Sequence, residues 1–303
     1  MRLPALLATT MLALAAAPAH AGIANVDPFI GVDAKPNWAD SAVFPGATTP
    51  FGMLKAGPDM MGNDGNPGWK TGYPIDGFSQ IYVSGTGGGS EYGNILVQPT
   101  SGGITVCGLG SAYHGESASP GYFHISLDRW HVDVDVAAAR RSATYRFTYK
   151  PNDQANLVFD AAYILSSGRD ATSPISPEGE DQRLVSSSVR ILSPTEVSGQ
   201  QTVKGGWNKA LRPYTVYFYG VTDTPATRIG IVNAGLIRPA ERAVDVVGGG
   251  GAGSYFTYQA NKGLTVQLRP GISFISVAQA KRRSPPKSPP SISPPPARAP
   301  RPI

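Results

Sequence analysis

Cysteine is nearly missing from this chain. Cys107 stands alone among 303 residues, so no intrachain disulfide can staple the fold. The setting Ile104-Thr105-Val106-Cys107 points to a strand position rather than a reactive thiol. Histidine is also scarce, with four in all, and neither His114 nor His124 has a cysteine or histidine close by, so there is no zinc signature. No apolar run reaches the roughly 20 residues that a membrane-spanning helix needs. Gly85-Thr86-Gly87-Gly88-Gly89 lacks the Gly-Lys-Ser/Thr and the following helix of a phosphate-binding loop, and Ile95-Leu96-Val97 reads as a strand. No Gly-x-Ser-x-Gly elbow leads into a helix either, which removes the serine-hydrolase signature.

Positive charge is less abundant than the net value of +5 suggests. Lys281, Arg282, Arg283, Lys287, Arg298 and Arg301 crowd into the last 23 residues, and Arg2 belongs to the apolar leader. The remainder carries 19 basic against 21 acidic residues. A near-neutral body does not suit nucleic acid, whose binding rests on clustered cations. Neutral sugars stay compatible with it.

What the chain has in quantity is glycine, proline and aromatic residues, concentrated between Val43 and Pro99. Glycine opens backbone conformations that other residues resist, and proline fixes φ while removing a donor. Alternated with Phe44, Phe51, Trp69, Tyr73, Phe78 and Tyr82, they describe shaped loops with aromatic faces, the usual seat of binding. Trp69, between Gly68 and Gly72, is the first candidate for sugar contact. An indole offers a flat apolar face to a pyranose and an N–H to a hydroxyl. Tyr73 and Tyr82 follow on the same ground, and Trp38 and Trp207 are read as packing residues. Asp64, Asp76 and Glu91 sit among turn formers and are read as loop-capping acids, so no catalytic residue is assigned.

Beyond these loops, the pattern is of strands. Ile104–Val106, Tyr122–Leu127, His131–Val136, Ala143–Tyr149, Asn156–Tyr163, Leu184–Leu192, Tyr214–Tyr219, Tyr255–Tyr258 and Leu264–Val266 are short, β-rich and bounded by turn formers. Helical spacing is scarcely sustained anywhere. The expectation is an all-β fold, a large antiparallel β-sandwich spanning residues 22–280, with Gly248–Gly251 as a hairpin loop. His131, Asp133 and Asp135 alternate with three valines. Residues two apart on a strand lie roughly 6.6 Å apart, too far for the outer two to share an ion, so the trio reads as a solvated face.

Residues 1–21, with Arg2, an apolar run and Ala19-His20-Ala21, fit an export signal, which leaves no membrane span after cleavage and a periplasmic or extracellular address. Residues 281–303 are rich in Pro, Ser, Lys and Arg and are expected to be a disordered tail. They read either as a proline-rich recognition segment or, preferably, as the product of a shifted reading frame.

A series of short motifs in order carries a resemblance. They are Asp27-Pro28-Phe29-Ile30-Gly31, Phe44-Pro45-Gly46-Ala47, Pro50-Phe51-Gly52-Met53, Gly72-Tyr73, Gly77-Phe78-Ser79, Ser84-Gly85-Thr86-Gly87 and Tyr92-Gly93-Asn94-Ile95. Pro120-Gly121-Tyr122 and Gly271-Ile272-Ser273-Phe274 with Gln279-Ala280 continue the series. Together they resemble the N-terminal β-sandwich of glycoside hydrolase family 92, the calcium-dependent, inverting exo-α-mannosidases. Where many members have histidines after Gly-Phe-Ser, this chain has Gln80, Ile81 and Tyr82. The resemblance implies mannose-containing glycans as ligands and a C-terminal helical barrel as partner. It also implies calcium as the cofactor of the intact enzyme, with no calcium site evident in this chain. The catalytic acid and base belong to the absent barrel. In the family the tryptophan before Gly-Tyr, here Trp69, lies on the leaving-group side of the pocket. The alternative reading of the residues is a stand-alone carbohydrate-binding or surface-adhesion sandwich.

Overall fold

The computed structural model describes residues 26–32, 43–60, 69, 71–82, 92–165, 182–205, 212–248 and 250–284. Sixteen strands and one helix appear among them. In chain order the strands are β1 (Gly57–Met60), β2 (Ile75–Ser79), β3 (Leu96–Ser101), β4 (Tyr113–Ser119), β5 (Tyr122–Leu127), β6 (Val132–Ala139), β7 (Ser142–Tyr149) and β8 (Asn152–Asp160). There follow β9 (Arg183–Ser193), β10 (Glu196–Lys204), β11 (Tyr214–Thr222), β12 (Arg228–Asn233), β13 (Leu236–Pro239), β14 (Ala243–Val247), β15 (Ala252–Ala260) and β16 (Leu264–Ser273), then α1 (Val277–Arg283).

All the strand pairings are antiparallel, in two sheets. One has seven strands in the order β1-β2-β3-β8-β15-β12-β13, the other nine in the order β14-β9-β10-β11-β16-β7-β6-β5-β4. This is the expected sandwich.

The period-two alternation of β5 to β7 shows why these residues form strands. Across the nine-stranded sheet, Ile125, Val134, Phe147 and Val266 are register partners, and so are Phe123, Val136, Tyr145 and Leu268. All eight are at most 1% exposed. Each such aliphatic or aromatic side chain contributes roughly 1.5–3 kcal/mol when taken out of water. From the facing sheet, Phe78, Val97, Phe159, Ile231 and Phe256 join the same core.

Ile104–Val106 is not a strand. Its residues pack on a second, smaller cluster of Val158, Val232 and Tyr255, covering the outer face of the seven-stranded sheet as a loop. Cys107 follows in that loop and is exposed. Gly248–Gly251 does not turn a hairpin, because β14 pairs with β9 in one sheet and β15 with β8 and β12 in the other. The segment carries the chain from sheet to sheet.

The structured region continues past Ala280. Ser276 caps α1 by accepting from the Gln279 N–H at 3.1 Å, and Ser284 donates its hydroxyl to the Arg269 carbonyl at 2.9 Å. Residues 281–284 are therefore held against β16. The expected export signal, Asp64, Glu91, Trp38, Trp207, the Gly85–Gly89 run and residues 285–303 lie outside the described residues.

Candidate functional site

The loops that carry the family-like motifs are tied to one another. Ala47 bridges Ala56, Tyr82 bridges Tyr92, and Ile75 bridges Ser111. Lys55 donates its N–H to the Gln80 carbonyl at 2.9 Å, and the Leu165 N–H reaches Tyr92 at 3.0 Å. Phe44 stacks on Tyr82 with ring centroids 4.1 Å apart. The glycines make this stack possible. A Cβ on Gly46 would lie 2.3 Å from the Phe44 ring, and one on Gly57 2.8 Å from it.

Trp69 lies beneath these loops, 1% exposed. Its ring meets Phe29 at 6.0 Å, Tyr113 at 5.4 Å and Phe123 at 6.2 Å, and its Nε1 donates to the Thr71 hydroxyl at 3.3 Å. Tyr82 is 2% exposed and donates its hydroxyl to the Gly57 carbonyl at 2.8 Å and to the Asp59 carboxylate. Both are packed as structural residues. Tyr73 differs, with 37% of its surface open to solvent. The structure thus brings Trp69 and Tyr82 into the packing under the loops and leaves Tyr73 at their surface.

Asp59, which the sequence reading did not single out, is fully buried. Burial pushes its carboxyl up to about 8, against the pull of Tyr82 and Ser79 and with the charge of Asp76 adding to the rise. Its place after Gly57-Pro58 was the one available signal, and any loop acid shares it. Around it runs a polar strut between the sheets. Asn94 donates to Gln201 at 2.6 Å, Gln201 to the Tyr163 carbonyl at 2.7 Å, and Tyr145 to Gln80 at 3.1 Å. Gln80 therefore fills a structural position, buried and held by Tyr145.

On the outer face of the nine-stranded sheet, Asp135 is only 5% exposed, which corrects the reading of a solvated face. It accepts from Tyr122 at 2.5 Å, His124 at 3.0 Å and Arg146 at 2.9 Å. Desolvation works to raise its pKa, but the hydrogen bonds from His124, Tyr122 and Arg146 outweigh it and hold the carboxyl down at about 2. His131 has left the strand for the preceding turn, with φ at 48°.

Among the described residues, no group of three or more His, Cys, Asp or Glu could hold a metal ion. No described helix is long and apolar enough to cross a membrane.

Known proteins match this architecture. The glycosyl hydrolase family 92 N-terminal domain matches residues 25–273. A secreted glycosidase of Arthroderma benhamiae is 28% identical over 261 residues, covering 78% of this chain and 32% of that protein. The structure of a family GH92 α-mannosidase from Bacteroides thetaiotaomicron superposes with a TM-score of 0.71 at 24% identity, over 86% of this chain and 34% of that one. The GH92 glycosyl hydrolase ccman5 gives a TM-score of 0.69 at 26% identity, over 86% and 34%. The chain spans about a third of the length of these relatives. With the family domain running through nearly all of both sheets, the chain belongs to glycosyl hydrolase family 92 by way of that family's N-terminal domain.

Proposed function

We propose that this sandwich supplies one wall of an α-mannoside-binding cleft and a docking face for a helical catalytic barrel, in an exported exo-α-mannosidase. The observation that carries this reading is the family domain match over residues 25–273, which includes every motif loop from Asp27 to Asn94. Tyr73 would meet the sugar directly, its ring being open to solvent. Trp69 and Tyr82 would act from beneath, fixing the loops that carry it. Calcium and the carboxylates that protonate the leaving group and activate water would come from the barrel. Inverting hydrolysis needs two such carboxyls roughly 6.5–9.5 Å apart with room for a water between them.

Among the described acids, Asp59 has its carboxyl raised toward neutrality, as a general acid requires, but it lies fully buried under the Phe44–Tyr82 stack, where no glycosidic oxygen reaches it. The chain by itself is therefore expected to turn over nothing. Purified protein incubated with α-linked mannobioses and calcium should release no mannose above background. Release at an ordinary enzymatic rate, lost in Asp59→Asn, would overturn the division of labour and make Asp59 the acid.

A further inference from the structure

The proline-rich end of the chain has no part in a mannoside wall. Residues 285–303 hold nine prolines among nineteen residues, with Pro285-Pro286, Pro289-Pro290 and Pro294-Pro295-Pro296 in close succession and no acid. Such a sequence favours the polyproline II helix, a preformed shape that costs little entropy to bind and that docks on aromatic-lined grooves. Its chemistry is the same whichever way the segment arose. The segment lies outside the described residues, but its point of departure does not, since Ser284 is held to the Arg269 carbonyl at 2.9 Å.

A row of three aromatic rings stands at the end of the sandwich where β11 begins and β16 ends. Tyr214 meets Tyr92 with ring centroids 6.1 Å apart and planes inclined by 47°, and meets Phe274 at 6.3 Å and 55°. Tyr92 and Tyr214 are partly exposed, Phe274 is 45% exposed, and Ile275 beside it is 68% exposed. The Gln182 amide fixes the two tyrosines, accepting from the Tyr92 N–H and donating to the Tyr214 hydroxyl at 2.7 Å. Tyr92 holds φ at 73°, a conformation that a bulky residue adopts only where its surroundings enforce it.

Rings inclined in this way leave furrows between them instead of a closed stack. The two furrows lie at most about 6 Å apart, the rise of about two polyproline II residues at roughly 3.1 Å each. The row is also within reach of the segment. Helix α1 runs from beside Phe274 to Ser284, and its seven residues span only about 10 Å. A chain leaving Ser284 therefore regains the row within about four extended residues.

We propose that the row Tyr92–Tyr214–Phe274 is the seat of the chain's own proline-rich segment, residues 285–303, docked as a polyproline II helix with proline rings in the furrows. The tether at Ser284 makes this docking intramolecular, at an effective concentration of about a millimolar, so a contact too weak to hold a free peptide is still populated. Tyr92 stands in one of the loops given above to the mannoside wall. The seated segment covers that part of the wall and regulates it, a consequence that rests on the mannoside reading, whereas the docking itself does not.

The test is trypsin digestion of the full chain under native conditions, followed by mass. Within the segment trypsin cuts after Lys287 and Arg298, because Arg301 is followed by proline. A docked segment is cut only while it is released, so cleavage in the parent should be about tenfold slower than in a free 285–303 peptide. Phe274→Ala and Tyr214→Ala should each restore most of the free rate. Phe274 is largely exposed, so its variant keeps the test open if Tyr214→Ala does not fold. Leu236→Ala, which trims an exposed apolar side chain at the β12–β13 turn, should be cut as the parent is. Equal rates in the parent and both row variants, or a parent cut as fast as the free peptide, would overturn the proposal. Protection that vanishes at about 1 M salt would do the same, because a screening length near 3 Å removes charge contacts and leaves ring packing in place. Trypsin reads the contact whether or not mannose binds. Protection without mannose binding therefore fails the mannoside reading alone, and mannose binding without protection fails the docking alone.

Discussion

At the scale of the residue, position decides what an aromatic can do. Trp69 and Tyr73 were alike in sequence, both beside glycines in one loop. The fold buries Trp69 among three rings and leaves Tyr73 more than a third exposed. Removing the indole leaves a large cavity, and Trp69→Ala should cost about 3–5 kcal/mol in urea unfolding. Tyr73→Ala should cost well under that, since exposed substitutions stay within about 0.5 kcal/mol in most cases. If mannose calorimetry detects binding, the Tyr73 variant should lose it while melting as the parent does. A Trp69→Ala protein that unfolds at the parental urea midpoint yet loses mannose would reverse these roles. The sequence marked these side chains as important but carried no sign of which one faces water. Burial is set by Phe29, Tyr113 and Phe123, up to 54 positions away along the chain.

At the scale of the element, legibility followed alternation. Tyr122–Leu127 was readable to the residue because Phe123, Ile125 and Leu127 point inward between polar neighbours. β6, β7 and β9 were legible for the same reason. β10, by contrast, reads Glu196-Val-Ser-Gly-Gln-Gln-Thr-Val-Lys204, and it stays hidden because its inward Gln201 is polar and satisfied by Asn94 and Tyr163, in the loops before β3 and after β8. β13 and β14, four and five residues long, are too short to show a period, and the burial of β12 does not alternate, since Gly230, Ile231 and Val232 are buried in a row. Ile104–Val106 erred in the other direction. It is an apolar run, but it covers a sheet instead of joining one.

Helix α1 was invisible because its seven residues hold one buried side chain, Ala280. Its seat is backbone-close. A methyl on Gly271 would stand 2.3 Å from the Ala280 carbonyl and 2.8 Å from the Ser284 nitrogen. Gly271→Ala should therefore cost about 1–3 kcal/mol, the usual range for overpacking. Hydrogen exchange should show the Ala280 and Ser284 amides losing protection before those of β5 to β7. Protection unchanged at both amides would mean that the helix does not rest on this glycine.

At the scale of the whole molecule, the two sheets answer pH in opposite senses. The seven-stranded sheet holds Asp59, whose folded pKa of about 8 lies far above the unfolded value of 3.8. Below pH 3.8 the group is protonated in both states and takes no part. As pH rises from there toward 8 the unfolded chain releases a proton that the folded one keeps, so unfolding becomes progressively easier, by up to about 1.4 kcal/mol per pH unit. Asp160, half-buried at the end of β8 in the same sheet, is shifted upward by desolvation too and adds to this slope. The nine-stranded sheet holds Asp135, whose folded pKa of about 2 lies below 3.8. Its stabilisation is complete above pH 3.8 and is lost as pH falls toward 2. The joint contribution of the two sheets thus peaks near pH 4.

Urea unfolding of the parent, Asp59→Asn and Asp135→Asn across this range separates the two limbs. The Asp59 variant should gain on the parent steadily from pH 4 to 8, because its amide accepts the Tyr82 hydroxyl without a charge to bury. The Asp135 variant should be weaker than the parent at pH 6 and draw level with it near pH 2. A constant difference between parent and Asp59→Asn from pH 4 to 8 would mean that the carboxyl ionises at its ordinary pKa, and that water reaches the space under the Phe44–Tyr82 stack.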